Sequence, residues 1–244
     1  MSPRAILEER LALMAPSRRL RLAVVAEEVA RRCGGGARLR VLDAGCGDGL
    51  LLLAMAKWHP TWSMVGVDLR EDLLEGARRR AVARGLPNAR FVPANLEEPL
   101  PESGFDVVLA VESLEEIPAD RRALEAMFAA LRSGGLLVAH VPEQGWKAVL
   151  PGSSSTWREQ VRQGYTAEGL RALLEEVGCV DVEVRPTYRS VAAAAQEVRD
   201  RIKGRGLLVR LLCFPLLAGA VRLERWGLTF GQPNALLAVG RRPG

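Results

Sequence analysis

Histidine is nearly absent from this 244-residue chain, with two copies, His59 and His140, and aromatic residues make up only 5% of it. A catalytic scheme resting on several histidines has little to work with. So does a nucleic-acid surface in which aromatic platforms alternate with basic clusters. The four cysteines, Cys33, Cys46, Cys179 and Cys213, lie far apart with no CxxC pair. That speaks against a disulfide framework and a zinc knuckle, predicts no metal, and suits a reducing compartment. No uncharged apolar run approaches the roughly 20 residues a bilayer span requires. The N-terminal MSPRAILEERLALM reads as a charged amphipathic helix without the apolar core of a signal peptide. These absences predict a soluble, cytoplasmic protein.

What is present is a globular composition, 48% hydrophobic and 26% charged. A chain of this length can bury a real core as one domain. Charge is unevenly placed. From Arg185 to Gly244 eleven basic residues face three acidic ones, a balance of +8, so the rest of the +5 chain sums to −3. Such a tail has two readings, an anionic partner or scattered solvated arginines.

Along the chain, helical patterns at Pro3–Met14 and Ser17–Cys33 come first, stopped by Gly34-Gly35-Gly36. Strand-like runs then fall at Leu39–Ala44, Ser63–Asp68, Ala89–Pro93, Phe105–Val111, Gly135–Val141, Val180–Tyr188 and Ala235–Arg241. Helical runs at Leu50–Trp58, Glu71–Arg84, Ala119–Leu131 and Thr166–Val177 separate most of them. Alternation of this kind implies an α/β fold with a mainly parallel sheet covered on both faces. The expected organisation is a single domain over 1–244: N-terminal helices at 1–36, a core at 37–189, a helical insert at 190–233 and a last strand at 234–244.

The turn after the first strand reads Asp43-Ala44-Gly45-Cys46-Gly47-Asp48-Gly49. Glycines there let backbone N–H groups and a helix N-terminus approach a ligand. Asp68 ends the second strand, where a carboxylate can accept hydrogen bonds from both hydroxyls of a ribose, in NAD as in any adenosine cofactor. Two features separate the candidates. The loop is G-x-G-x-G rather than the dinucleotide G-x-G-x-x-G, and Asp43 beside it would repel a pyrophosphate while welcoming an ammonium or a sulfonium. The implied ligand is an adenosine without phosphates that carries positive charge, which S-adenosylmethionine fits.

The runs VLDAGCGDG, VGVD, FVPANLEEPLP, FDVVLAVESLEEI and LRSGGLLVAHVPE follow one another between Leu39 and Glu143. In that order they resemble the successive motifs of class I S-adenosylmethionine-dependent methyltransferases, with a weaker extension over Tyr165–Gly178. The resemblance implies a Rossmann-like seven-stranded sheet of order 3-2-1-4-5-7-6 with an antiparallel seventh strand, and S-adenosyl-L-methionine as cofactor. Carried over by position, it implies that Gly45 and Gly47 approach the methionine part, with Asp43 favouring its ammonium. It places Asp68 on the ribose, Leu69 against the adenine, Asn95 and Leu96 at the adenine edge, and Glu112 on the methionine and acceptor side. Two departures stand out: Asn95 replaces an Asp common in relatives, and Glu116 stands where many small-molecule methyltransferases have His.

The acceptor side is less legible. His140, near the end of the fifth strand, reads first as a structural histidine and is also the candidate general base; Glu143 and Tyr165 are candidates for the acceptor pocket. Glu112-Ser113-Leu114-Glu115 occupies the place of the [DNS]-P-P-[YFW] motif of nucleobase and glutamine-amide methylation, which speaks against those substrates. In the insert, LLVRLLCFPLLAGAVRLERW is apolar almost all round and flanked by arginines. It reads as a buried lid, as a wall of a pocket for a hydrophobic acceptor, or as a peripheral membrane contact over 207–225. The expected activity is methylation of a small, hydrophobic or amphiphilic acceptor. The alternatives are a non-catalytic S-adenosylmethionine-binding protein, or an RNA or protein methyltransferase.

Overall fold

The central strands are apolar on both sides, and the elements around them follow from that. In a computed structural model describing residues 16–34, 38–153, 161–187, 190–202 and 233–244, with isolated positions between 205 and 223, seven strands form one sheet. Helix α1 (Pro16–Cys33) precedes β1 (Arg40–Ala44), α2 (Leu50–Trp58), β2 (Ser63–Asp68), α3 (Glu71–Ala83) and β3 (Ala89–Pro93). Next come β4 (Phe105–Val111), a 3₁₀ turn (Leu114–Glu116), α4 (Asp120–Ala130), β5 (Leu131–Pro142) and α5 (Ala167–Glu176). The chain closes with β6 (Val180–Pro186), α6 (Ser190–Ile202) and β7 (Ala235–Arg241).

The strand order is β3-β2-β1-β4-β5-β7-β6. Strands β1 to β5 pair in parallel, and β7 runs antiparallel to both neighbours. Successive side chains alternate between two cores. Leu42, Val65, Val108, Leu137, Ala139 and Ala238 join Leu124 and Met127 of α4 and Leu170 and Leu174 of α5 on one face. Val41, Met64, Val107, Leu109, Val138 and Val239 join Val25 and Val29 of α1, Leu52 and Leu53 of α2 and Leu74 of α3 on the other. Parallel strands buried on both faces need this near-continuous apolar composition.

Local signals set the helix ends. Helix α5 starts where the Thr166 hydroxyl accepts the Gly169 N–H at 3.0 Å, a side-chain N-cap. Helix α3 carries Glu71 and Asp72 in its first turn and Arg80 in its last, complementing the helix dipole. Strand β5 begins at Leu131, four residues before the run that the sequence suggests, because Leu131 pairs with Phe105 across a register shift in the ladder. The expected helix Pro3–Met14 and most of the 203–232 insert lie outside the described residues. Among those described, no helix is long and apolar enough to cross a membrane.

Strand order reverses between β1 and β4, so their connections leave in opposite directions. A crevice opens at the carboxyl ends of those strands, as in open α/β sheets generally. Leu109, fully buried in β4 beside β1, holds the two strands against α1 and α2. Its replacement by Ala is expected to cost about 2–5 kcal/mol, read as a lowered midpoint in urea at unchanged slope. A loss below 1 kcal/mol would mean that the core is not packed as described.

Candidate active site

At the end of β1 the backbone turns through Gly45 and Gly47, both with positive φ, of 80° and 53°. Gly45 is bound into the sheet: its N–H and that of Cys46 donate to Val67 O at 2.8 and 2.9 Å. A Cβ on Gly45 would lie 2.4 Å from Ser113 Cβ, whereas one on Gly47 would meet nothing within 4 Å and would fill open space. Helix α2 then starts behind the turn. From β2, Asp68 clasps the loop: Oδ2 accepts the Gly47 N–H at 2.8 Å and Oδ1 accepts the Arg70 N–H at 2.9 Å. One carboxylate therefore fixes the relative position of the first two crossover turns.

The turns border a cavity of about 680 Å³ lined by Gly45, Gly47, Asp68, Leu69, Asn95, Leu96 and Glu112, together with Arg18, Arg21 and Leu22 of α1. Seven of the eight residues that the sequence points to for cofactor contact thus share one wall. The eighth, Asp43, lies just behind the loop. Leu69 stands 72% exposed on that wall, unusual for so apolar a side chain and suited to cover a flat ring. Asn95 is partly committed within its own turn: Oδ1 accepts the Glu97 N–H at 3.0 Å and Nδ2 donates to Glu98 at 3.2 Å.

Asp43 is 2% exposed. Burial, then the charges of Asp68 and Asp48, push its carboxyl up to about 7. A desolvated carboxylate with like-charged neighbours is stabilised by any cation that enters beside it.

Glu112 sits at φ +54°, a strained conformation for a residue with a side chain. Oε1 meets His140 Nδ1 at 3.0 Å and Oε2 meets Arg21 Nη1 at 2.9 Å. Burial alone would raise this carboxyl, but the Arg21 guanidinium and the His140 hydrogen bond outweigh it and hold it below the usual carboxylate range. Arg18 makes a second tie from α1, to Asp48 at 3.0 Å. Helix α1 thereby closes one side of the cavity through two ion pairs.

The candidate base is placed differently from expectation. His140 is 0% exposed and is not among the described residues lining the cavity. Its Nδ1 faces Glu112 and its Nε2 faces Thr187 Oγ1 at 3.1 Å. An ionised Glu112 only accepts, so Nδ1 carries the proton of that bond. The ring orients Glu112 and does not present a nitrogen to the cavity. Tyr165 and Glu143 also stand off its described lining. The Tyr165 hydroxyl lies 2.9 Å from Asp120 Oδ2 and receives Arg162 Nη1 at 3.1 Å, and both side chains reach Leu114 O of the 3₁₀ turn, at 3.2 and 2.6 Å. Glu143 is joined by its backbone to Asn234 and Tyr165.

Residues 41–135 match a family model described as a methyltransferase domain. The chain is 30% identical to the trans-aconitate 2-methyltransferase of Variovorax paradoxus strain S110 over 186 residues, 69% of this chain and 68% of that one. It is 27% identical to the demethylmenaquinone methyltransferase of Geobacillus kaustophilus strain HTA426 over 191 residues, 68% of this chain and 82% of the relative. Among solved structures, Haemonchus contortus phosphoethanolamine N-methyltransferase 2 in complex with S-adenosyl-L-methionine is similar at a TM-score of 0.65 and 18% identity. That match covers 90% of this chain and 52% of the other, and shares the fold. The chain belongs to the class I S-adenosylmethionine-dependent methyltransferases. It is an enzyme that transfers methyl groups from that cofactor.

Two outcomes follow from the loop. Gly45→Ala places a Cβ against Ser113 at positive φ, so the melting temperature is expected to drop by several degrees; an unchanged value would contradict the geometry. Asp43 keeps its proton in the folded state between about pH 4 and 7 while the unfolded chain has lost it, so the wild-type free protein loses stability as pH rises through that window. Relative to it, Asp43→Asn is expected to gain on the order of a few kcal/mol at pH 8 and little at pH 4. Melting curves of both proteins at the two pH values decide this, and equal differences at both would refute the burial of Asp43.

Proposed function

We propose that this methyltransferase acts on a small organic acceptor with an apolar body. The observation carrying the reading is the half-open cavity that runs from the glycine turn to the β4 end. At about 680 Å³ it falls within the range of small-molecule sites. Leu22, Leu51, Leu73, Val111 and Ile117 supply apolar wall. Relatives named for trans-aconitate and demethylmenaquinone support the small-molecule part of this reading.

The residues present suit the cofactor. Gly47 leaves open space where a side chain would intrude, and Asp43, Asp48 and Asp68 gather negative charge around the turn. In the proposed arrangement Asp68 holds the ribose hydroxyls with its remaining lone pairs, and Leu69 covers the adenine, with Asn95 and Leu96 at its edge. Gly45 and Gly47 border the methionine end, Asp43 favours its positive charge, and Glu112 bounds the acceptor side. When bound, S-adenosylmethionine would supply an activated methyl group to a lone pair of the acceptor, the electrons of its C–S bond staying on sulfur. The protein's task is alignment, and proximity of this kind is worth about 7–11 kcal/mol. His140 serves by holding Glu112.

The test is release of S-adenosylhomocysteine by the purified enzyme, compared between a library of small amphiphilic molecules and pools of RNA and protein. Turnover confined to the small molecules is expected; methylation of macromolecules alone would overturn the reading. In the same assay Asp68→Asn is expected to weaken S-adenosylmethionine binding about 10- to 100-fold, the scale of one or two hydrogen bonds to a charged group.

A further inference from the structure

Of the ten large apolar side chains exposed among the described residues, four fall in one stretch between α6 and β7: Val209, Leu212, Leu216 and Leu223. Leu212 and Leu216 each stand 77% exposed. All four positions are helical, and their spacings of three, four and seven residues set them on one face of that helix. Cys213, Ala218 and Gly219, helical positions of the same stretch, are less exposed. Apolar residues scattered singly over a surface need no explanation, but a stripe of them marks a place of contact.

The charge around the stripe points to what it meets. Arg205 and Arg222 flank it and are exposed. From Arg205 to Arg222 the sequence holds no Asp or Glu, and Leu211 to Val221 carries no charge at all. A second copy of the chain would bring the same arginines together with no acid inside the stripe to pair them, unlike the opposite-charge pairs that flank self-associating helices. A bilayer surface with anionic headgroups answers both features, taking the apolar face into the headgroup boundary and the arginines onto its phosphates. The contact is with the surface, since no described helix is long and apolar enough to cross a membrane. The stretch also leaves the body of the protein from a fixed base. In α6 the buried Glu197 accepts the Val149 and Leu150 N–H groups at 2.8 and 2.7 Å, and Arg201 donates to Ser153 Oγ at 3.1 Å. Both hold the loop that follows the carboxyl end of β5.

We propose that the helical face of Val209, Leu212, Leu216 and Leu223, flanked by Arg205 and Arg222, docks this enzyme on an anionic lipid surface. Docking of this kind is independent of which small acceptor the cavity takes.

Cosedimentation of the purified protein with vesicles tests this, comparing phosphatidylglycerol mixed equally with phosphatidylcholine against phosphatidylcholine alone. Partitioning onto the anionic vesicles is expected to be at least about 10-fold stronger than onto the neutral ones, the scale of one or two arginines near a charged surface, and to fall in high salt. The double substitution Leu212→Asp with Leu216→Asp is expected to weaken it at least about 10-fold. Its melting temperature and its affinity for S-adenosylmethionine are expected to stay at wild-type values, because both side chains face solvent. No partitioning onto anionic vesicles, equal partitioning onto both kinds, or unchanged partitioning of the double variant would overturn the proposal. So would a dimer that the double substitution abolishes and that anionic vesicles leave intact, since the occupant would then be a second copy. Should the double variant not fold, the wild-type comparison of the two kinds of vesicle decides alone.

Discussion

The site depends on a concentration of carboxylates gathered around a buried one. Asp43 is buried at the end of β1, Asp68 ties the glycine turn to the β2 turn by accepting the Gly47 and Arg70 N–H groups, and Asp48 adds its charge to that of Asp68 on Asp43. Desolvated like charges are unfavourable in the free protein, and the raised Asp43 carboxyl is the measure of that. The arrangement makes sense for a ligand that brings positive charge. The parallel sheet tolerates it because the strain is confined to the crevice where β1 and β4 diverge, while both faces of the sheet remain fully packed.

Helix α1 converts this crevice into a cavity. It buries Val25 and Val29 against the sheet and reaches over the opening with Arg18 and Arg21, each paired to a carboxylate of the wall. Glu112 is the meeting point. One oxygen takes the helix through Arg21, the other takes β5 through His140, and its backbone is held at positive φ. The chain thus links the closing helix and the end of β5 through a single strained residue. Stored strain of this kind persists only where neighbours over-determine it, and α1 and β5 do so here.

How much of this the sequence disclosed follows the range of the interactions. Strands β2, β3, β4 and β7 lie at the residues where apolar runs bounded by turn formers place them, because burial on both faces, or on one face at the β3 edge, leaves a local mark. The glycine turn and the acid at the end of β2 were legible because each carries a local mark, a run of glycines or a strand end, although the bond between them spans 21 residues. Arg18 and Arg21 were not, since nothing in a helical pattern says which carboxylate far along the chain it will meet. For His140, position at a strand end alone left a structural role and a general base both open. Its partners Glu112 and Thr187 lie 28 and 47 residues away, and only their convergence shows that the ring is consumed inside the protein.

The central claim is that this cavity selects a phosphate-free nucleoside bearing positive charge. Parallel titrations of the purified protein with S-adenosylmethionine and with ATP, followed by calorimetry, test it most directly. One equivalent of S-adenosylmethionine bound per chain, with no heat from ATP at the same concentrations, is the predicted result. Comparable binding of ATP, or silence with S-adenosylmethionine, would contradict it.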